Sequence, residues 1–229
     1  MLLGAPATAL AGSPTGGVTA PLAPLAPLLG GTPPSAAVAQ GPPGPGTLGS
    51  PPGGAMLGAV ALVRGRLTPA QAGRSVVLAI LEAGRGWVNL GAARADAAGG
   101  FVVAWRPKHL GRVLLRASAS GTSLRPTAPA EVYLPVVATW FGPGSYGSRT
   151  ACGQILTPDL VGVAHRSLPC GTMVDIVYGN QAISVPVVDR GPFTAGVSYD
   201  LTAATAQALG VTETVHIGAV AVRGATPTG

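Results

Sequence analysis

The sequence predicts a mainly β protein: a small β-sandwich followed by a small closed barrel with one short helix. Three observations lead there. Between residues 55 and 134, short apolar runs are punctuated by Gly, Pro, Asn or Asp at intervals of about ten residues. From residue 135 onward, five or six further runs rich in Val, Ile and aromatic residues crowd into roughly 90 residues, too few for an open sheet with covering helices. A single stretch, 202–209, reads as helix, with Gly210 as its stop.

Composition limits what such modules can contain. The 229 residues allow one large or two small domains. Aromatics make up 4% of the chain and hydrophobic residues 47%, so the cores must be built mainly from Val, Leu, Ala and Ile. The formal charge of +6 suits an anionic partner, such as a wall polymer, a phospholipid surface or nucleic acid. The arginines are dispersed and no nucleic-acid motif occurs, so nucleic acid is not expected. No apolar run is long enough, without Pro, to predict a transmembrane helix.

Residues 1–11 contain an apolar stretch and the small-x-small site Ala9-Leu10-Ala11, the pattern of a secretory signal without its basic start. They read as a signal-peptide remnant; the alternative is more Ala/Pro low-complexity sequence. Residues 12–54 are dense in Pro, Gly, Ala and Ser, and no charged residue precedes Arg64. This composition cannot offset its ordering entropy, which predicts a disordered spacer.

The runs "SVVLAILEA", "GWVNLGAARA", "GGFVVAWRP" and "GRVLLRASAS" supply the sandwich expected over 55–134. With Trp87, Gly99-Gly100-Phe101, Trp105 and Gly111, this region resembles the immunoglobulin-like modules appended to secreted bacterial enzymes. The two tryptophans either plug the core or offer platforms to sugar rings. The runs "VVATWF", "VGVAH", "TMVDIVY", "AISVPVVD" and "TVHIGAVAV" supply the barrel expected over 135–223, leaving 224–229 as a tail.

Four pieces of this last region carry the chemistry: "ATWFGPGSYGSRTACGQ" (138–154), "AHRSLPCGTMVDI" (164–176), "VPVVDRGPF" (185–193) and "YDLTAATAQALG" (199–210). In this order and spacing they resemble the RlpA-like double-psi β-barrel family, named after rare lipoprotein A. The matching positions include Ala138, Trp140 to Gly142, Gly147, Thr150, Ala151, Gly153, Ala164, His165, Leu168, Pro169, Gly171, Thr172, Asp189 to Phe193 and Asp200 to Thr202. The resemblance implies a six-stranded double-psi barrel, in a protein secreted to or held in a bacterial cell envelope, with peptidoglycan or a related wall glycan as partner. Several family members are lytic transglycosylases. Distant barrel relatives include expansins, which loosen walls without hydrolysis, so the fold alone leaves the chemistry open.

A lytic transglycosylase needs one carboxylic acid, kept protonated near neutral pH by burial or a like charge. The candidates are Asp189 and Asp200, with His165 as a groove residue hydrogen-bonded to Asp189. Asp189 serves either as a site residue or as scaffold for the Gly-Pro turn. Asp200 is either a site residue or a cap on the following helix. His165 is either a groove residue or a satisfied structural histidine. Gln154, Tyr146, Phe141 and Arg190 are the expected glycan-binding residues, Trp140 is expected in the core, and Asp159 and Asp175 read as surface charges.

Gln154 departs from the family pattern, which has Glu there, and an amide cannot donate a proton as an acid. If that Glu is the family's acid, the chain only binds or loosens glycan, as an expansin does. If an aspartate is the acid, cleavage survives. Cys152 and Cys170, the only cysteines, each sit beside a matched motif and pair in an exported protein. The bridge closes a loop of roughly 19 residues, worth about 3 kcal/mol in the chain-entropy account. Two buried free thiols are the alternative. No cofactor or metal site is expected from three separated histidines and two cysteines.

Overall fold

Alternation of apolar and polar residues sets the sheets of the first module. A computed structural model of the chain describes residues 46–51, 53–67, 72–120 and 126–222. The expected signal remnant, the spacer as far as residue 45 and the tail lie outside the described residues.

One sheet joins β1 (Gly46–Leu48), β3 (Ala61–Leu67) and β6 (Gly100–Trp105), antiparallel and in that order. A second sheet joins β4 (Ser75–Glu82), β5 (Gly86–Arg94), β7 (Gly111–Ala119) and the first part of β8 (Thr127–Phe141), in the order β5-β4-β7-β8. The two-residue β2 (Ala55–Met56) lies parallel on β8. Period-2 patterning turns Val63 and Leu67 of β3, and Phe101, Val103 and Trp105 of β6, toward Val76, Leu78, Leu115 and Val132 of the other sheet. Full burial of each such side chain contributes about 1.5–3 kcal/mol. Trp105 is 4% exposed and plugs this core. Trp87 is half-buried instead, with the Arg116 guanidinium 4.0 Å above its ring.

The spacer expected to run to residue 54 overlaps folded structure at its end, because Gly46–Leu48 form β1 and pair with β3. Its glycines serve packing as well as turning. Gly54 has φ 76°, and a Cβ there would lie 2.3 Å from the Tyr133 ring, so no other residue passes at that point. β3 had no counterpart among the expected strands, since Arg64, Gly65 and Arg66 interrupt its apolar run.

β8 is the hinge of the architecture. Residues 127–132 pair with β7 in the sandwich, and residues 134–138 pair with β13 (Val215–Ala221) in the barrel. The boundary expected between 134 and 135 therefore falls inside one continuous strand.

The barrel adds β9 (Val163–Ala164), β10 (Met173–Tyr178), β11 (Gln181–Asp189) and β12 (Tyr199–Thr202). Its order is β8-β13-β10-β11-β9-β12, and β12 pairs back onto β8 to close six strands. The β9–β11 and β8–β12 pairs are parallel and the others antiparallel. Ala138, Val163, Val174, Ile176, Val185, Val187, Leu201 and Ile217 fill the interior. Small aliphatic side chains suit so narrow a barrel.

The helix α1 (Ala203–Leu209) follows β12 directly. Thr202 Oγ1 caps it by accepting the Thr205 N–H, and Gly210 ends it in the left-handed region at φ 73°. The Gly162 N–H donates to both Thr202 Oγ1 and Thr205 Oγ1, at 3.2 and 2.9 Å, tying the helix start to the entry of β9. Asp200 lies inside β12, so its expected role as helix cap passes to Thr202.

Asp175, expected as a surface charge, is 1% exposed. β10 turns it outward from the barrel and against the sandwich, where Arg112 Nη2 reaches its Oδ2 at 3.2 Å. Arg112 Nε also approaches Glu131 at 3.6 Å. Asp175 Oδ1 has no donor among the described residues.

Candidate active site

The register of the barrel brings together residues far apart in sequence. Asp189 at the end of β11 is in register with Ala164 of β9, and Ala164 with Asp200 of β12. Asp200 is in turn in register with Thr139 of β8. Four neighbouring strands thus present one row, Asp189, Ala164, Asp200, Thr139. Two strand spacings put the aspartate Cα atoms about 10 Å apart, with Ala164 as the intervening partner in the row.

The two carboxylates have different environments. Asp200 is half-buried, and its Oδ1 accepts a 2.7 Å hydrogen bond from Thr139 Oγ1. Burial pushes its proton affinity up, the Thr139 hydroxyl pulls it down, and the charge of Asp189 pushes it up again; the net direction is upward. Asp189 Oδ1 accepts the backbone N–H groups of Ala151 and Arg190, each at 2.8 Å. It therefore ties the loop of Cys152 and Gln154 to the end of β11, as the scaffold alternative requires.

His165 follows Ala164. Its Nδ1 accepts the N–H groups of Ser167 and Leu168, at 3.2 and 3.0 Å, so the ring proton must sit on Nε2. Burial lowers its proton affinity, and the positive charges of Arg166 and Arg190 lower it further. The ring packs 4.8 Å from that of Tyr199. The expected hydrogen bond to the Asp189 carboxylate is replaced by a backbone one, His165 N–H to Asp189 O at 3.2 Å. The side chain cannot turn to Asp189 because Nδ1 is already holding the next turn.

Cys152 and Cys170 form a disulfide, with Cα atoms 5.6 Å apart. Arg190 lies beneath it, with Nη2 3.2 Å from Cys170 Sγ and Nη1 3.3 Å from the His165 carbonyl, so it braces the turn after β9. Gln154 is exposed, and its Oε1 accepts the Thr150 hydroxyl at 3.0 Å. Tyr146 lies over Gly142, where a Cβ would meet its hydroxyl at 3.0 Å and Ala203 Cβ at 2.8 Å. Phe141 is half-buried.

Trp140, expected in the core, is 38% exposed. Beyond Ala138 its strand keeps the pairing with β12 but loses that with β13, so the alternation that buries Ala138 does not extend to it. Three contributors escaped the sequence reading. Thr139 needed the parallel β8–β12 register. Phe193 is 82% exposed on the loop after the Gly-Pro turn, a placement that its apolar character does not suggest. Arg166 clamps that loop through the carbonyls of Pro192, Thr194 and Val197. Among the described residues no group of three His, Cys, Asp or Glu side chains gathers to hold a metal ion, and no helix is long and apolar enough to cross a membrane.

Residues 135–223, which form the closed, mixed six-stranded barrel, match the family model described as "Lytic transglycolase". Residues 135–223 are an RlpA-like double-psi β-barrel. Curated relatives include the probable endolytic peptidoglycan transglycosylase RlpA of Synechocystis sp., 43% identical over 33% of this chain and 24% of the relative. The protein of the same name in Aquifex aeolicus is 35% identical over 44% of each chain. The endolytic peptidoglycan transglycosylase RlpA of Campylobacter jejuni is 32% identical over 37% of this chain and 36% of its own. The chain thus spans less than half the length of these relatives.

Proposed function

We propose that the barrel binds peptidoglycan glycan strands in the bacterial cell envelope and cleaves them as a lytic transglycosylase, with Asp200 as the acid. The carrying observation is the environment of Asp200: half-buried, steadied by Thr139 and facing the charge of Asp189. Burial and the Asp189 charge, outweighing the opposing pull of the Thr139 hydroxyl, hold the carboxyl group protonated at a higher pH than usual.

In this reading the Asp200 proton passes to the oxygen bridging MurNAc C1 and GlcNAc O4, and the C1–O4 bond breaks. The Asp200 carboxylate then takes the proton of the same MurNAc 6-hydroxyl as its oxygen bonds to C1. The product is a 1,6-anhydro end; Asp200 regains its proton and no water is consumed. Asp189 keeps negative charge near the oxocarbenium-like centre, and the Nε2–H of neutral His165 is a donor for a sugar hydroxyl. Trp140, Tyr146, Phe141 and Phe193 offer faces to sugar rings. Arg190 braces the turn after β9 beside the disulfide, and Gln154 supplies amide hydrogen bonds rather than the proton.

The sandwich preceding the barrel reads as an immunoglobulin-like module over residues 46–134. Three strands face four, and a short parallel strand lies on the last, which supports that assignment. The second reading of the barrel, an expansin-like module that binds or loosens glycan without cleaving it, rests on Gln154 standing where the family has Glu.

The test is incubation of the full chain with glycan strands stripped of stem peptides, followed by mass spectrometry. The transglycosylase reading expects 1,6-anhydro ends, reduced about 10³-fold in Asp200→Asn, the scale of a lost general acid. Binding without any anhydro product at high protein concentration would select the non-catalytic reading.

A further inference from the structure

The charge of the chain is unevenly divided. Ten of its fourteen Lys and Arg residues lie from Arg64 to Arg125, whereas residues 46–134 contain three acidic residues, Glu82, Asp96 and Glu131. Residues 135–222 hold three arginines and five acidic residues. The positive excess therefore belongs to the sandwich, and the carboxylate row sits on a module with a negative excess.

Part of the basic set is already engaged. Arg85 pairs with Glu82 at 3.0 Å, Arg112 with Asp175 and Glu131, and Arg116 covers Trp87. Other arginines are held by carbonyls, which fix a guanidinium without cancelling its charge. Arg66 Nη1 donates to Ala98 O and Arg94 Nη1 to Gly73 O, both at 3.2 Å. Among the described residues neither meets a carboxylate within salt-bridge distance, and the exposed Arg64 makes no hydrogen bond through its side chain.

Arg64 and Arg94 line one groove of about 470 Å³, together with Phe101, Val102 and Asp96. Asp96 also lines this groove, its Oδ1 held by the N–H groups of Ala98 and Gly100, each at 2.8 Å, so one negative charge stands against the two arginines of the lining. Arg66 lies two residues from Arg64 on the same outer face of β3, about 7 Å further along the strand. Three charged forks thus lie along and beside one groove with an apolar floor.

We propose that this groove binds an anionic polysaccharide of the cell wall, a chain carrying phosphodiester or uronate groups at intervals. Arg64 and Arg94 each take one anionic group, and Arg66 takes a third. The planar guanidinium matches phosphate and carboxylate alike. Val102 and the edge of Phe101 accommodate the carbon faces of the sugars. The sandwich is then a wall-retention module, separate from the glycan row of the barrel, and a failure of this site leaves the reading of the barrel untouched.

The experiment measures fluorescence anisotropy of labelled polyphosphate and labelled polygalacturonate with the full chain, at two salt concentrations. At least one polymer binds, and a fourfold rise in salt weakens it roughly tenfold or more, as release of counterions from a few contacts requires. Preference between the two polymers identifies the anionic group. Arg64→Gln/Arg94→Gln lowers affinity at least tenfold, whereas Arg85→Gln, whose charge is already paired, leaves it unchanged. Should the double variant fail to fold, Arg64→Gln alone, which breaks no internal hydrogen bond, still lowers affinity severalfold. Wild-type binding in these groove variants overturns the proposal, as does salt-independent binding. Tighter binding of single-stranded DNA of equal charge than of either polymer also overturns it, by assigning the groove to nucleic acid.

Discussion

Replacing Thr139 by Val tests the central electrostatic argument without needing any enzymatic assay. Val has nearly the shape of Thr and suits a strand, so β8 and its pairing with β12 persist. What disappears is the 2.7 Å hydroxyl bond to Asp200 Oδ1, which favours the charged carboxylate. A hydrogen bond to a charged group is worth about 1.5–3 kcal/mol, and the half-exposed site argues for the lower end. Since about 1.4 kcal/mol is a factor of ten in proton affinity, Asp200 should bind its proton roughly tenfold more tightly in the variant. The carboxyl carbon of Asp200, followed by NMR through a pH titration of the full chain, reads this directly. In the transglycosylase reading the alkaline limb of activity moves upward with it. A titration of Asp200 that stays in place, or moves to lower pH, would refute the view that Thr139 restrains an acid whose proton affinity burial and Asp189 have raised.

Three further outcomes follow from other parts of the fold. Burial first, and the charge of Asp175 second, raise the proton affinity of Glu131 in the folded state. The stability this contributes is present at acid pH and is lost as pH rises through the folded-state titration. Glu131→Gln removes that loss and offers its amide to the unpaired Asp175 Oδ1. Melting curves should show the variant gaining on the wild type as pH rises toward neutral, and a difference independent of pH would contradict this. Reduction or Cys152→Ser/Cys170→Ser should cost about 3 kcal/mol in denaturant unfolding, and no change would remove the disulfide from the stability argument. Gly162→Ala places a Cβ 2.6 Å from both Val188 methyls beside the Thr202–Thr205 network, for a cost of about 1–3 kcal/mol by the same measurement. A neutral result there would mean that β9 and β11 yield easily.

Much of the barrel was legible because its strands coincide with apolar runs and its turns with the matched motifs. β10, β11, β13 and the helix with Gly210 stand within a residue or two of where patterning places them. β12 was not legible. Four residues, Tyr199–Thr202, carry too little alternation to separate a strand from the approach to a helix, and an Asp near a helix start imitates a cap. The first module was read less completely. Gly46–Met56 share the Pro/Gly composition of the spacer, yet Gly54 is there because Tyr133, nearly eighty residues later, occupies the place of a side chain. Composition reports the residue type; only the tertiary approach reports its reason.

The site shows the same limit in sharper form. Both aspartates could be named as candidates from sequence, but their roles depend on contacts at long range. Asp189 meets Ala151 through a loop pinned by the disulfide, and Asp200 meets Thr139 through a parallel register between strands sixty residues apart. That register changes the weight of Gln154. Judged by the motif alone, Gln154 removes one of the acids the family pattern supplies, and the two matched aspartates remain. Beside Asp200, it removes a side chain from an exposed loop while a half-buried carboxyl with raised proton affinity remains in the row. Catalysis of the anhydro-forming kind needs one such group rather than a pair. In the transglycosylase reading, Gln at 154 is therefore compatible with cleavage, and Asp200 is the residue on which that compatibility depends.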